Sequence, residues 1–313
     1  MPYVALAPVT PRSRQIEAQA RWNVLLMRKP ELARAVALQQ DLIGIVADLA
    51  SAFDRGRLPR LSLPPKYLAA KLKQGVPALV GEPVPLPVPV LKPGLIRLCT
   101  ALERGGAGEA AAHIRTSLDE TRMDTASLLA ASLKRDQTAI RSGAAHRGLS
   151  PDLLWLVAEL AVSPFVHALQ QLLFGSEGPT PALAEALDAW PHGYCPFCGS
   201  WPALAEVAAT HRALRCSFCA LAWELSRYAC IYCGHEGESF VTAAPDVERK
   251  DRRLEICRAC GSYLKTIDVA ALSPFPLLPI ADLETMDLDM AAMERGYGRP
   301  ALKNWAGKAG GSG

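Results

Sequence analysis

The sequence predicts an α+β protein: an all-helical N-terminal domain, then two small modules each built on four cysteines, then a C-terminal helix. Three observations lead there. Residues up to about 190 carry apolar stations at helical spacing and no strand-type alternation. Four Cys-x-x-Cys pairs follow within 66 residues, Cys195–Cys198, Cys216–Cys219, Cys230–Cys233 and Cys257–Cys260, and hold eight of the chain's nine cysteines. Short strand-type runs separate those pairs, such as Leu221 to Leu225, with others near Phe240 to Thr242 and Tyr263 to Ile267.

The bulk numbers agree with a folded protein of ordinary surface. Of 313 residues, 50% are hydrophobic and 21% charged, enough apolar material for a core. The 34 basic and 31 acidic groups leave a net charge of +3, and no long lysine or arginine block stands out, which argues against a polyanion binder. No run of 18 unbroken apolar residues marks a membrane span. Leu153 to Phe174 comes nearest and is interrupted by Glu159, Ser163, Pro164, His167 and two glutamines. The first residues show no basic region ahead of an apolar run, so no secretory signal is expected and a cytoplasmic location follows. In a reducing compartment paired cysteines read as metal ligands rather than disulfides.

Taken in order, the helical domain spans 1–190. Helices are predicted over about 12–28, 31–53, 66–74, 94–103, 107–118, 125–147 with a break, 151–174 and 180–189. Ser150-Pro151-Asp152 is a helix start, with proline at the first helical position. A proline-rich strap, 82–93, has four prolines alternating with Val84, Leu86, Val88 and Val90 over its first nine residues. It reads as an extended segment packed on the helices rather than a ligand for a proline-binding groove. Gly106-Ala-Gly108-Glu-Ala-Ala111 matches the dinucleotide fingerprint in letters. That fingerprint works only where a strand feeds the loop, and the preceding residues have helical spacing, so it reads as a helix–helix turn. Cys99, the ninth cysteine, reads as a buried, inert thiol.

The modules cover 191–227 and 228–270, and a C-terminal segment 271–313 completes the chain. Two residues between cysteines suit a tight knuckle that aims both sulfurs at one metal. Cys198, Cys233 and Cys260 are each followed by glycine, which accepts the positive φ such a knuckle requires; Cys219 is followed by Ala220. Two knuckles joined by a hairpin make the closed four-cysteine site of zinc ribbons and rubredoxins. The 17 residues between Cys198 and Cys216, the 23 between Cys233 and Cys257 and the short 10 between Cys219 and Cys230 favour pairing knuckle one with two and three with four. Pairing one with four and two with three, or an interleaved brace, uses the same residues. The expected ligands are therefore Cys195, Cys198, Cys216 and Cys219 for one metal and Cys230, Cys233, Cys257 and Cys260 for another. Four thiolates suit iron and zinc alike. His192 and His235 are expected beside the sites rather than in them. Phe197, Phe218 and Tyr232, inside knuckles, are expected to shield the metals from water. A charged hairpin tip is expected at 245–252. The methionine-rich last helix, about 281–295, is expected to pack on the metal modules, and 306–313 to trail as a disordered end.

These same residues resemble those of a known family, the formate dehydrogenase accessory (FdhE) proteins. The likeness runs through Cys195-Pro-Phe-Cys-Gly-Ser, Arg215-Cys-Ser-Phe-Cys-Ala-Leu-Ala-Trp-Glu and Cys230-Ile-Tyr-Cys-Gly. It is most specific in Cys257-Arg-Ala-Cys-Gly-Ser-Tyr-Leu-Lys and continues to Glu294-Arg-Gly-Tyr-Gly near the end. The resemblance implies a helical domain with two rubredoxin-like modules that hold two metal ions, iron favoured over zinc. It also implies a cytoplasmic assembly factor that binds the catalytic molybdoenzyme subunit of a respiratory formate dehydrogenase before export. Ala220 and Ala222 depart from the polar residues the family tends to carry there.

No phosphate-binding loop, nucleophile elbow or His-Glu metalloprotease pattern occurs, so no catalytic or cofactor-binding residue is assigned and no enzymatic activity is expected. Two other readings use the same cysteines. One is a redox or sulfur-handling enzyme that acts on that subunit through iron-bound or free dithiols. The other is a zinc-ribbon nucleic-acid binder, for which Arg249, Lys250, Arg252 and Arg253 supply a basic cluster but few aromatics stand ready to stack bases.

Overall fold

A computed structural model of the chain describes residues 3–4, 6, 9–56, 58–59, 61, 63–175, 179–244 and 249–303. The described residues form two compact units that interleave along the chain. One draws on 1–14, 63–78 and 173–303, the other on 15–62 and 79–172. The change of texture near residue 190 is a change from helix to strand, whereas the compact units alternate in sequence.

The helices are α1 (Pro11–Arg28), α2 (Ala33–Asp54), α3 (Pro65–Lys73), α4 (Val88–Leu102), α5 (Gly108–Asp119), α6 (Thr125–Leu133), α7 (Gln137–His146), α8 (Pro151–Phe174) and α9 (Pro181–Asp188). In the all-helical unit the 3.6-residue period puts Leu42, Ile45, Val46, Leu49 and Phe53 on the buried side of α2, and Leu91, Leu95, Leu98 and Leu102 on that of α4. Gly94 lets these helices approach closely: a Cβ there would lie 2.6 Å from Leu49 Cδ1. The break expected in 125–147 is made by Asp136, whose carboxylate accepts from Ala139 N and starts α7.

The proline strap differs from its expectation. It runs without helix or strand only to Pro87, and α4 begins at Val88. Pro89 falls in the first turn, where a missing N–H is harmless, and Pro93 costs α4 a single internal hydrogen bond. The glycine-rich fingerprint lies where α4 passes through a wide turn, Glu103–Ala107, into α5, so a helix precedes it and no strand feeds it. Cys99 is fully buried, and burial pushes its thiol up to about 12. Among the described residues, two helical stretches, Pro30–Asp54 and Pro151–Phe174, have the length and mean hydropathy of a membrane span; 50% and 61% of their apolar windows are buried within the protein, as in core helices.

The other unit is built on one sheet of β1 (Tyr3–Val4), β2 (Pro202–Ala208), β3 (His211–Cys216), β4 (Ala222–Trp223), β5 (Phe240–Ala243), β6 (Arg252–Cys257) and β7 (Ser262–Val269). The strand order is β1-β4-β3-β2-β7-β6-β5. Each four-cysteine module contributes three antiparallel strands, β2-β3-β4 and β5-β6-β7. A parallel pairing of β2 with β7 joins the two sets. The Arg212 guanidinium also bridges to Glu255, linking β3 with β6, and Glu255 accepts from the Thr266 hydroxyl. Helices α3 and α9 fall in this unit as well.

The single C-terminal helix expected at 281–295 is instead two, α10 (Leu278–Glu284) and α11 (Met286–Met293). The Thr285 hydroxyl donates to the Ala281 carbonyl at 2.7 Å, back-bonding that ends α10. The methionines do not make the packing. Leu288 and Ala292 bury against Leu254, Ile256 and Tyr263, while Met286, Met290 and Met293 are exposed. Lys265, fully buried on β7, anchors this end through Asp282 and Asp289, both at 2.6 Å. The tip residues 245–248 and the end, 306–313, lie outside the described residues.

Candidate metal centres

Each knuckle is a turn closed by its own backbone. Cys195 N donates to Ser200 O (2.8 Å) and Gly199 N to Cys195 O (2.9 Å); Cys230 N donates to His235 O (2.9 Å) and Gly234 N to Cys230 O (2.8 Å). The residue after each second cysteine has positive φ: Gly199 at 77°, Gly234 at 79°, Gly261 at 66°, and Ala220 at 57° without the freedom of glycine. In the second knuckle the Phe218 and Cys219 amides point at Cys216 Sγ, at 3.4 and 3.5 Å. The strands carry the knuckles to their partners. Cys216 ends β3 opposite Pro202, and Cys257 ends β6 opposite Phe240.

The sulfurs fall into two groups of four, Cys195 with Cys198, Cys216 and Cys219, and Cys230 with Cys233, Cys257 and Cys260, each within 4.8 Å. Knuckle one thus meets two, and three meets four. In the first group Cys195–Cys219, Cys198–Cys216 and Cys198–Cys219 are 3.7, 3.4 and 3.8 Å apart. In the second, Cys230–Cys260 and Cys233–Cys257 are 3.7 and 3.5 Å apart. A metal about 2.3 Å from each sulfur of a tetrahedron sets the sulfur–sulfur edges at about 3.8 Å. A disulfide would require about 2.05 Å. The donor set therefore fits one tetrahedral, thiophilic metal ion per group, and all nine cysteines are free thiols.

The two groups differ in their surroundings. All four cysteines of the first are buried. Phe197 and Phe218 are buried with them, and Phe174 stands edge-on to Phe197 at 5.1 Å. In the second group Cys230 and Cys257 are buried, but Cys233 and Cys260 are exposed. Tyr232 is only half-buried, its hydroxyl donating to Tyr263 O at 3.2 Å, so the aromatic shielding expected of it is incomplete. Desolvation holds the Cys195 and Cys219 thiols well above the ordinary range. Exposure of the residue does not by itself set the charge, since desolvation raises the thiols of Cys230 and the exposed Cys233 in the second group as well. Cys257 is likewise desolvated, but amide hydrogen bonds from Cys260 and Ala259 and the thiols of Cys233 and Cys260 bring it below that range. A divalent cation would offset the cost of burying thiolates at the first group.

The neighbouring histidines stay outside both tetrahedra. His235 Nδ1 lies 3.8 Å from Cys233 Sγ, and His192 stacks on Tyr194 with ring centroids 4.7 Å apart. The basic cluster at 249–253 is largely neutralised: Arg249 pairs with Asp251, Arg253 with Asp268, and Arg252, 7% exposed, with Glu284 at 2.7 Å. That pairing leaves little of the positive surface a nucleic-acid reading needs.

Two features had no sequence signal. Buried Arg215 pairs with buried Glu206 and donates to Ala220 O (3.2 Å) and Ser273 O (2.6 Å); Ser273 N and its hydroxyl donate to Glu206. This network braces the one knuckle that has alanine in place of glycine. The second is a cavity of about 310 Å3 along the Cys230–Gly234 knuckle, walled by Tyr194, Trp201 and Tyr232. Neither a buried ion pair nor a concavity leaves a pattern in local spacing.

No protein-family model matches the chain. It is 25% identical over 170 residues to an FdhE homologue of Aquifex aeolicus, 52% of this chain and 56% of that protein. It is 32% identical over 156 residues to an FdhE homologue of Pseudomonas putida, 45% and 47% of the two. The chain thus spans about half the length of the curated relatives it matches. Its fold is similar to the crystal structure of the FdhE protein from Pseudomonas aeruginosa, with a TM-score of 0.58 and 22% identity over 97% of this chain and 98% of that one. The chain is thus similar in sequence to FdhE homologues over about half its length, and similar in fold to an FdhE protein over nearly all of it.

Proposed function

We propose that this protein is a cytoplasmic accessory factor for a respiratory formate dehydrogenase, which binds the catalytic molybdoenzyme subunit and supports its maturation without itself being an enzyme. In this reading Cys195, Cys198, Cys216 and Cys219 hold one metal ion, and Cys230, Cys233, Cys257 and Cys260 a second, iron rather than zinc by resemblance to the family. The observation that carries it is the pair of four-sulfur groups, each spaced for a tetrahedral ion, in a chain similar to FdhE proteins. A four-thiolate site has no open coordination position for a substrate, so while all four sulfurs stay bound such an ion stiffens the fold or carries one electron.

The test is a pull-down with a tagged catalytic subunit, prepared without oxygen, beside metal analysis of the purified protein. The wild type is expected to hold two metal ions and to retain the subunit, and Cys195→Ala and Cys230→Ala to lose it. Variants that bind like the wild type refute a role for the centres in recognition. A wild type that retains nothing refutes the partner.

The exposure of Cys233 and Cys260 favours one second reading, redox or sulfur handling on that subunit. It predicts a reversible visible absorbance change on reduction. A colourless, zinc-filled protein that supports full formate dehydrogenase activity refutes it.

A further inference from the structure

The two centres share a local motif but not an environment, and the difference bears on what each does with its metal. The sulfurs of the first group sit on buried residues, with the phenyl rings of Phe197 and Phe218 buried beside them. In the second, the exposed cysteines come one from each knuckle: Cys233 from Cys230-Ile-Tyr-Cys233 and Cys260 from Cys257-Arg-Ala-Cys260, whose Arg258 and Ala259 are themselves exposed. Thiolate exchange needs an approach path for the entering sulfur.

A path exists on the Cys233 side. The cavity of about 310 Å3 is lined by Tyr194, Trp201, Arg227, Cys230, Cys233 and Lys303. That volume is at the small end for ligand sites and admits a side chain or a small thiol rather than a folded domain. Arg227 in that lining pairs with Glu236 at 2.6 Å, which offsets its charge, and the Lys303 ammonium, 4.2 Å from the Tyr194 ring centroid, adds a positive charge that favours an entering thiolate. The cavity's base is held by a close backbone approach, because a Cβ on Gly193 would fall 2.0 Å from the Ile231 carbonyl oxygen.

We propose that the second centre is a ligand-exchange site: an external thiol enters along the Cys230–Gly234 knuckle and takes the place of Cys233 on the metal, while the first centre keeps its four sulfurs. One metal–sulfur bond forms to the incoming sulfur as the one to Cys233 breaks. The proton of the incoming thiol passes to the Cys233 sulfur. No electron is transferred, so no oxidant or reductant is required. The proposal rests on the reading of both groups as metal centres. It adds that a cysteine-bearing segment or a small thiol is the ligand class the second one accepts.

The experiment uses the full metal-loaded chain, with glutathione and an acetylated, amidated Gly-Cys-Gly peptide as probes. Native mass spectrometry counts metals and adducts, and iodoacetamide labelling with peptide mapping locates the freed thiols. The expected result is a chain that keeps both metals and gains one thiol at the second centre, with Cys233 labelled at least about tenfold faster than the first four cysteines. Adducts with both probes assign the site to small thiols; an adduct with the peptide alone assigns it to a protein segment. Ser226→Trp, which fills the exposed rim of the cavity, is expected to slow adduct formation several-fold with the metal count unchanged. Loss of both metals together, equal labelling of the two groups, or a Ser226→Trp variant as fast as the wild type overturns the proposal. A purified chain that holds no metal at all fails the underlying reading instead, so the two failures are distinct.

Discussion

The Arg215–Glu206 pair offers the sharpest test of how the first centre is held. Both side chains are fully buried. Arg215→Leu removes the donor to three acceptors: the Glu206 carboxylate, Ala220 O and Ser273 O. Glu206 keeps the hydrogen bonds from the Ser273 amide and hydroxyl, and its charge stays in the interior. Breaking a buried ion pair from one side costs about 3–5 kcal/mol. Replacing both partners by apolar residues of similar size removes the charges together and is often neutral or stabilising. Arg215→Leu and Glu206→Leu are thus each expected to lose about 3–5 kcal/mol, and the double variant far less than their sum, a coupling of at least about 2 kcal/mol. Urea unfolding of metal-loaded protein, followed by tryptophan fluorescence, measures all four corners of the cycle. Strictly additive losses, or single variants within about 0.5 kcal/mol of wild type, refute the pairing as a support of the Ala220 knuckle.

Three further outcomes follow from the geometry. Gly193→Ala places a methyl 2.0 Å from the Ile231 carbonyl oxygen, so one backbone must shift; a loss of about 1–3 kcal/mol in chemical denaturation is expected, and none would refute the close approach. Asp289 is desolvated, which raises its carboxyl, but the Lys265 hydrogen bond, the Arg299 charge and the Tyr263 hydroxyl bring it below the usual range. Its stabilisation is therefore complete above the unfolded value of about 4 and is lost as pH falls through the lower folded value. Asp289→Asn should flatten the stability–pH curve in that acid window, and an unchanged acid limb would refute the assignment. Cys195→Ser should lower the melting temperature far more than Cys260→Ser, because it strands a buried hydroxyl and releases a metal from the core, a loss above about 3 kcal/mol. Equal shifts in calorimetry would count against that difference.

The knuckles were legible because ligand spacing is local. Two residues between cysteines, a following glycine and loops of 17 and 23 residues suffice to place eight sulfurs in two groups. The strands between them were less legible. Pro202–Ala208 reads Pro-Ala-Leu-Ala-Glu-Val-Ala, rich in helix formers, yet it forms β2 because β3 and β7 pair with it on both sides. The start of α4 was hidden by Pro89, which local rules permit both in an extended run and in a first helical turn. The break between α10 and α11 depends on Thr285 turning its hydroxyl onto the preceding carbonyls, a choice invisible in apolar periodicity.

The asymmetry between the centres did leave a trace in the sequence, inside the knuckles themselves. Cys195-Pro-Phe197-Cys198 and Cys216-Ser-Phe218-Cys219 each set a phenyl ring between their ligands, and a phenyl ring, with no polar end, contributes most where the surroundings cover it. Both rings are buried to within 1%. Cys230-Ile-Tyr232-Cys233 and Cys257-Arg258-Ala259-Cys260 instead carry a phenol and a guanidinium, groups that keep a polar end in water or on a hydrogen-bond partner. Tyr232 meets that demand through Tyr263 O, and Arg258 by remaining exposed. The same turn geometry thus yields a closed tetrahedron in one place and a half-open one in the other. Ligand spacing decides where the sulfurs go, and the character of the two residues between them matches how far each knuckle is covered.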